Sequence, residues 1–254
     1  MLDHQRRIYF YHIRKTGGTS LNHMFLSLSG ADPHTAFATL RQSRKKMVTL
    51  NNRVYVGANA ALLNAGEYSY GFSHFPKHCL AIPEDTFTIT ILRDPIERVI
   101  SHYRMVLEHK IHGIKKDWMK LEGSWLGESF RDFIQNLPEE RLLNQIYMFS
   151  ATLDVDEALL GILNCSYVFF TEEFSAGCSA LSPILKVNLP HYHLRKSYIE
   201  VVIHPDDILF LRLKLDAEYE LLSQVRRYQA NWPHDKHTTG IFGRACERFP
   251  LLRG

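Results

Sequence analysis

The residues with the clearest chemical potential lie near the start of the chain. This segment consists of Arg14, Lys15, Thr16, Gly17, Gly18, Thr19 and Ser20. Two adjacent glycines let backbone N–H groups approach a ligand closely, and a helix that begins here would add positive potential. The lysine supplies a cation and the hydroxyl groups supply hydrogen-bond donors. The segment therefore predicts a turn that holds an anion such as a phosphate. The alternative is a plain glycine turn whose lysine points into solvent.

The order of residues in this segment differs from that of the ATP-binding P-loop. Here the lysine precedes the glycines, and no Ser or Thr follows a second Gly-Lys pair to hold Mg²⁺. A nucleotide kinase needs a metal to bridge its phosphates, whereas lysine, hydroxyl and backbone donors can serve a phosphosulfate donor without one. The order therefore favours a donor that is used without a metal.

A second segment with chemical potential spans residues 92–103. Arg93 follows a predicted strand, and Ser101 lies about two turns into the predicted helix after it. Both side chains can converge on one phosphate, and a guanidinium suits bidentate contact. Two anion sites at neighbouring strand ends indicate a ligand with phosphates at two positions. In the alternative interpretation, Arg93 and Asp94 pair with each other or cap the helix.

The elements that position these residues alternate between strands and helices. Residues 8–13 form an apolar run that predicts a buried strand, and Leu21, Met24, Phe25 and Leu28 recur at helical spacing, with Thr19 or Ser20 available as a cap. Residues 87–92 predict a second strand, after which Asp94 and Pro95 suit a helix start. Further strands are predicted at 54–56 and 167–170, and further helices at 130–134, 142–149 and 206–227. This alternation predicts an α/β, three-layer fold: a central parallel sheet flanked by helices, with ligands at the carboxyl ends of the strands.

Both segments resemble parts of the sulfotransferases that use 3′-phosphoadenosine 5′-phosphosulfate (PAPS), in the branch of the heparan sulfate 2-O- and 6-O-sulfotransferases and bacterial relatives. Residues 12–20 look like the 5′-phosphosulfate loop, and residues 92–103 look like the 3′-phosphate motif. Weaker similarities lie at 71–75, 143–145, 170–174 and 216–219, so the resemblance covers most of the chain. It implies a P-loop-like fold. One departure is Arg14, where relatives often carry proline; we expect it to add charge near the sulfonate.

The resemblance also implies roles for individual residues. Lys15 would neutralise the oxygen that bridges phosphorus and sulfur as that bond breaks, and His74 would be the general base, for which a neutral imidazole is suited. His12, His78 and His102 are other histidines near the predicted site in sequence. Arg14 and Lys15 are thus both expected to bind the donor. The remaining implied contacts are to the donor's 5′-phosphate (Thr16, Gly17, Gly18, Thr19, Ser20), to its 3′-phosphate (Arg93, Ser101) and to the acceptor (Asn144, Gln145).

Composition limits the other function classes. With 254 residues, 45% of them hydrophobic, the chain can form one domain over 1–254, of which the tail 231–254 is left unassigned. A net charge of +3 is far below the basic excess expected of a nucleic-acid-binding protein. The four cysteines form no C-x-x-C pair, which predicts neither a zinc site nor a disulfide framework. Without an apolar run of membrane-spanning length or room for a signal peptide, we expect a cytoplasmic enzyme.

The sequence thus predicts a PAPS-dependent sulfotransferase that works without a metal. The acceptor would be a small molecule or glycan, most simply a carbohydrate hydroxyl, attacked in line with a histidine as general base. Two alternatives stay open: a metal-dependent phosphotransferase of nucleotide-kinase type, and a non-catalytic nucleotide- or glycan-binding module with a decayed site. The sequence predicts neither the regiochemistry nor the oligomeric state.

Overall fold

A computed structural model of the chain describes residues 7–114, 116–190, 192 and 199–231. Of the tail 231–254, which the sequence left unassigned, residues 232–254 lie outside this part, and so do the first six residues of the chain. Within it, no helix combines the length and the apolar character needed to cross a bilayer.

The described residues form one six-stranded sheet. Its strands are Ile8–Tyr11 (β1), Met47–Leu50 (β2), Arg53–Val56 (β3), Tyr70–Ser73 (β4), Phe87–Leu92 (β5) and Tyr167–Phe170 (β6), in the spatial order β2-β3-β4-β1-β5-β6. β2 pairs antiparallel with β3, and every other neighbouring pair is parallel. The predicted parallel sheet is therefore confirmed, with one antiparallel edge strand that the sequence did not predict.

Helices cover both faces of the sheet, which confirms the predicted three layers. Side chains of β1 alternate between two hydrophobic clusters: Tyr9 and Tyr11 belong to one, Ile8 and Phe10 to the other. A strand buried on both faces is what its unbroken apolar run predicted. The helices are Gly18–Ser27 (α1), Pro33–Gln42 (α2), Ala60–Ala65 (α3), Pro95–Ile111 (α4), Met119–Glu122 (α5), Phe130–Asn136 (α6), Glu139–Leu142 (α7), Asn144–Tyr147 (α8), Val155–Leu163 (α9), Phe174–Leu185 (α10), Pro205–Lys214 (α11) and Asp216–Ala230 (α12).

Three predicted elements end earlier than predicted or are interrupted in the structure. The first strand ends at Tyr11, because the Ile13 N–H turns back to the Tyr11 carbonyl (3.2 Å). The predicted helix 142–149 is α7 and α8, separated at Leu143, and the predicted helix 206–227 is α11 and α12, separated at Leu215. Both leucines are buried and continue the apolar pattern, so periodicity alone could not reveal either break.

Candidate active site

The loop after β1 has the backbone shape of an anion-binding turn. Lys15 and Gly17 both have positive φ, 69° and 84°. Alternating conformations of this kind turn successive N–H groups towards one side and form an anion-binding concavity. Positive φ is uncommon for a residue with a side chain, and such strain concentrates at functional sites. We call residues 12–18 the anion-binding loop.

Helix α1 starts directly at this loop without a side-chain cap. Its N-cap residue is Gly17, which has no side chain that could cap the helix. The prediction that Thr19 or Ser20 caps the helix is wrong, because both residues lie inside the first helical turn. The first N–H groups of a helix have no partner within it, so those of α1 add donors beside the loop.

Close packing behind the loop fixes its shape. A Cβ on Gly18 would lie 2.2 Å from Cδ2 and Nε2 of His12, whose ring stacks on Phe10. The buried Thr16 hydroxyl donates to the carbonyl oxygen of Ile13 (3.0 Å). The predicted hydrogen bond from Thr16 to a phosphate stays a prediction. Because the Thr16 hydroxyl donates to Ile13 in this conformation, the backbone N–H of Thr16 is the group left to bind a phosphate.

The polar residue after β6 supports the loop from the neighbouring strand end. The hydroxyl of Thr171 lies within hydrogen-bonding distance of the carbonyl oxygens of Thr16 (2.9 Å) and Leu92 (3.1 Å). Thr171 was missed as a site residue, although its position directly after a predicted strand was a usable signal.

His74 follows β4 and lies beside the anion-binding loop. Its Nδ1 bonds to the carbonyl oxygen of His12, and the two imidazole centroids are 4.3 Å apart. Because a carbonyl only accepts, Nδ1 carries the proton and Nε2 of the neutral ring is an acceptor. His74 is exposed, yet desolvation by the surrounding protein atoms, followed by the charge of Arg14, lowers its pKa to about 4.

Arg14 is held by a buried carboxylate. Its Nη1 donates to Oε1 of Glu122 (2.6 Å), whose Oε2 lies 2.9 Å from Nε2 of His102. Burial would raise the pKa of Glu122, but the hydrogen bond from His102 and the charge of Arg14 outweigh it and the pKa is lowered. This partner could not be predicted from the sequence, because a buried glutamate cannot be distinguished from a surface one by pattern.

Arg93 connects the second predicted anion site to the first. Its Nη1 donates to the carbonyl oxygen of Lys15 (2.9 Å), and its Nη2 lies 3.5 Å from Oε2 of Glu97. Ser101 is half-buried and lies one turn beyond Glu97 on the same side of α4. The two predicted anion sites therefore adjoin at the carboxyl ends of β1 and β5.

Asp94 does not pair with Arg93 but caps α4. Its carboxylate accepts the N–H of Glu97 (2.9 Å) and the hydroxyl of Tyr219 (2.9 Å), with Pro95 at the first helical position. The predicted helix start is confirmed, while the guanidinium of Arg93 faces the loop instead.

The two predicted acceptor-binding residues are buried. The Asn144 amide accepts the N–H of Arg14 (3.4 Å) and donates to the carbonyl of Glu140 (3.1 Å). The Gln145 amide bonds to the main chain of Arg93 and to Glu218. Contact of either residue with an acceptor stays a prediction. For Gln145, whose two amide N–H groups are both used, donation to an acceptor would require an internal bond to break.

The described residues contain no group of three or more His, Cys, Asp or Glu side chains arranged to hold a metal ion. The donors that line the loop are N–H groups, hydroxyls and cations, which suit an anion.

Comparison with known proteins indicates the family of this chain. A model described as "Sulfotransferase family" matches residues 1–146, a range that contains the anion-binding loop, His74, Arg93 and Gln145. No match was found among curated proteins. The family has a P-loop-like fold, in agreement with the mostly parallel sheet, and its members transfer sulfuryl groups. Because the match covers more than half of the 254 residues and contains the anion-binding loop, His74 and Arg93, the chain belongs to the Sulfotransferase family.

Proposed function

We propose that this sulfotransferase uses PAPS as its donor and transfers the sulfuryl group to a hydroxyl of a carbohydrate or similar polyol. The observation that carries the proposal is the hydrogen bond from Arg93 to the carbonyl of Lys15 (2.9 Å). This bond makes the two anion sites neighbours at the carboxyl ends of β1 and β5, as a nucleotide with a 5′- and a 3′-phosphate requires.

The donors at this edge fit such a nucleotide. The N–H groups of the loop and of the first turn of α1, with the hydroxyls of Thr19 and Ser20, would hold the 5′-phosphate. The guanidinium of Arg93 and the hydroxyl of Ser101 would hold the 3′-phosphate. Glu97 now pairs with Arg93 at 3.5 Å, a loose contact that a phosphate would replace with a shorter one.

Lys15 and His74 would act on the reaction itself. When bound, PAPS supplies a sulfuryl group on a phosphate oxygen, and Lys15 would stabilise the charge that develops on that oxygen. The acceptor oxygen bonds to sulfur as the sulfur–oxygen bond to phosphate breaks, and the acceptor proton passes to Nε2 of His74. The bond from Nδ1 to His12 supports this role because it leaves Nε2 free of a proton.

The pKa of about 4 keeps His74 in its basic form at neutral pH. A pKa this low would also make it a weak base, but an anionic donor beside the ring favours the imidazolium and strengthens the base. We therefore expect the basicity of His74 to rise once the donor is bound. Arg14 and Arg141, the two cations that lower its pKa, would face an acceptor that approaches His74.

The test is transfer of labelled sulfate from PAPS to a panel of glycans, phenols and lipids, with Mg²⁺ or with a chelator. We expect labelled glycan at the same rate in both conditions. Transfer only to phenols or lipids would reject the carbohydrate acceptor and keep the donor. No transfer from PAPS, together with Mg²⁺-dependent phosphate transfer from ATP, would reject the proposal.

A further inference from the structure

Gln145 has a buried amide in which the oxygen and both N–H groups have hydrogen-bond partners. Its Oε1 accepts the N–H of Arg93 (2.9 Å), and its Nε2 donates to the carbonyl of Arg93 (3.0 Å) and to Oε2 of Glu218 (2.9 Å). A glutamine amide has two N–H donors, and both are engaged here. The residue has no exposed surface. Gln145 therefore bonds to both the N–H and the carbonyl of Arg93, and none of its polar atoms is exposed to solvent.

Glu218 anchors Gln145 from the other side. Its Oε1 accepts the backbone N–H of Gln145 (2.7 Å), and its Oε2 lies 3.4 Å from Nη2 of Arg98. Both Arg98 and Glu218 are fully buried, and Arg98 also donates to the carbonyl oxygens of Arg141 and Leu142. The amide of Gln145 is thus held between a fixed carboxylate and the chain leaving β5.

Arg93, whose main chain Gln145 holds, is the residue whose side chain reaches the anion-binding loop. From the position that Gln145 fixes, the guanidinium of Arg93 reaches the carbonyl of Lys15. A change in the direction of the Arg93 main chain would move the guanidinium relative to Ser101 and to the loop. A buried amide with every group paired suits such a fixing role, because any other arrangement would leave polar groups without partners.

We propose that Gln145, anchored by Glu218, is a positioning residue that holds Arg93 for recognition of the donor's 3′-phosphate. The inference rests on the proposed function, which assigns that phosphate to Arg93. It gives Gln145 an indirect role in place of the acceptor contact that the family resemblance implied.

The test compares two nucleotides by calorimetric titration: 3′-phosphoadenosine 5′-phosphate, and adenosine 5′-phosphate, which lacks the 3′-phosphate. We expect Gln145→Met to weaken the first by about tenfold and the second by less than about twofold, because only the first needs Arg93 in place. In an Arg93→Met background the same change should have no further effect, since the group it positions is gone. Gln145→Glu keeps an acceptor for the Arg93 N–H but places a carboxylate oxygen against the Arg93 carbonyl and the buried Glu218 carboxylate, so it should lose the same selectivity at least as strongly as Gln145→Met.

The matched control is Gln229→Met on α12. The Gln229 amide also donates to a strand carbonyl, that of Val168 (3.0 Å), but this bond lies outside the Arg93 network. It should leave both affinities unchanged, and melting temperatures should show that all variants are folded. Equal weakening of both nucleotides by the two Gln145 variants, or additive losses with Arg93→Met, would overturn the positioning role. Wild-type protein that binds both nucleotides equally would instead overturn the assignment of the 3′-phosphate, and the proposed function with it.

Discussion

The anion-binding loop and the Arg93 site perform similar tasks but are held in different ways. The loop is fixed largely by its own neighbours: positive φ at Lys15 and Gly17, the bond from Thr16 to Ile13, and the room that Gly18 leaves for His12. Arg93 is fixed by Gln145, 52 residues later, which is fixed in turn by Glu218, a further 73 residues along the chain.

The two sites therefore differ in whether the residues that bind the ligand are also the residues that hold the backbone in place. In the loop, the residues that shape the backbone are also those expected to touch the ligand, so one change damages both. At Arg93, the binding side chain and its support are distant in sequence and can be changed separately. The predictions below test these two behaviours.

The largest effect is expected from His74→Ala, which removes the proposed base while leaving the loop backbone in place. Turnover should fall by about 10²–10⁴-fold, the usual contribution of general-base catalysis. Affinity for 3′-phosphoadenosine 5′-phosphate should stay within about twofold of wild type, because among the described residues the imidazole bonds to the His12 carbonyl and to none of the groups expected to hold a phosphate. Initial rates and calorimetry measure the two quantities. Wild-type turnover in the variant would exclude the role.

Lys15→Ala should reduce turnover by about 10²–10³-fold, the effect of removing one group that stabilises developing charge. The matched control is Lys45→Ala, which changes an exposed lysine outside the site and should leave the rate unchanged. If both variants lose activity equally, or if only the KM for the donor rises in Lys15→Ala, the lysine does not act on the leaving oxygen.

Gly18→Ala tests whether the loop depends on its own close packing. The added Cβ would lie 2.2 Å from the His12 ring, so the ring or the helix start must move, at a cost of about 1–3 kcal/mol in the free energy of unfolding. Affinity for both 3′-phosphoadenosine 5′-phosphate and adenosine 5′-phosphate should fall together, unlike the selective loss expected for Gln145→Met. Selective loss of the bisphosphate alone would contradict the local account of the loop.

The smallest effect is expected from Arg14→Met, read as a pH profile. Protonation of His74 abolishes its basic form, so kcat/KM should fall as the pH drops through the pKa near 4. Desolvation and then the charges of Arg14 and Arg141 lower this pKa, whereas the His12 carbonyl and Glu122 raise it. Removing Arg14 should raise the pKa and move the acid limb of the profile to higher pH, by up to about one unit. Arg44→Met, a change at an exposed arginine, should leave the limb in place. A shift to lower pH in Arg14→Met would be the wrong sign.

The sequence predicted the elements whose signals are local. β5 and β6 have the predicted limits, and Asp94 caps α4 as its place before Pro95 indicated. β4 was missed as a strand because Gly71 and Ser73 interrupt its apolar pattern. Both are explained by tertiary contacts: a Cβ on Gly71 would lie 2.7 Å from the Leu63 side chain, and the Ser73 hydroxyl lies 2.7 Å from that of Tyr9.

The residues of the candidate site likewise divide into those with a local sequence signal and those that only tertiary contacts reveal. The anion-binding loop could be predicted because glycine, lysine and hydroxyl residues lie together between a strand and a helix. The supporting carboxylates, Glu122 and Glu218, could not, because nothing in a single sequence shows that a given glutamate is buried beside a particular arginine or glutamine. Supports of this kind become visible only with the tertiary structure.

The central claim is that the anion-binding loop and Arg93 together hold one nucleotide with two separate phosphates. Calorimetric titration of the full chain with 3′-phosphoadenosine 5′-phosphate, beside ATP with and without Mg²⁺, tests it most directly. The account predicts one bisphosphate per chain, bound with the same affinity in the presence of a chelator and more tightly than ATP. Absence of bisphosphate binding, or tighter binding of ATP that requires Mg²⁺, would contradict it.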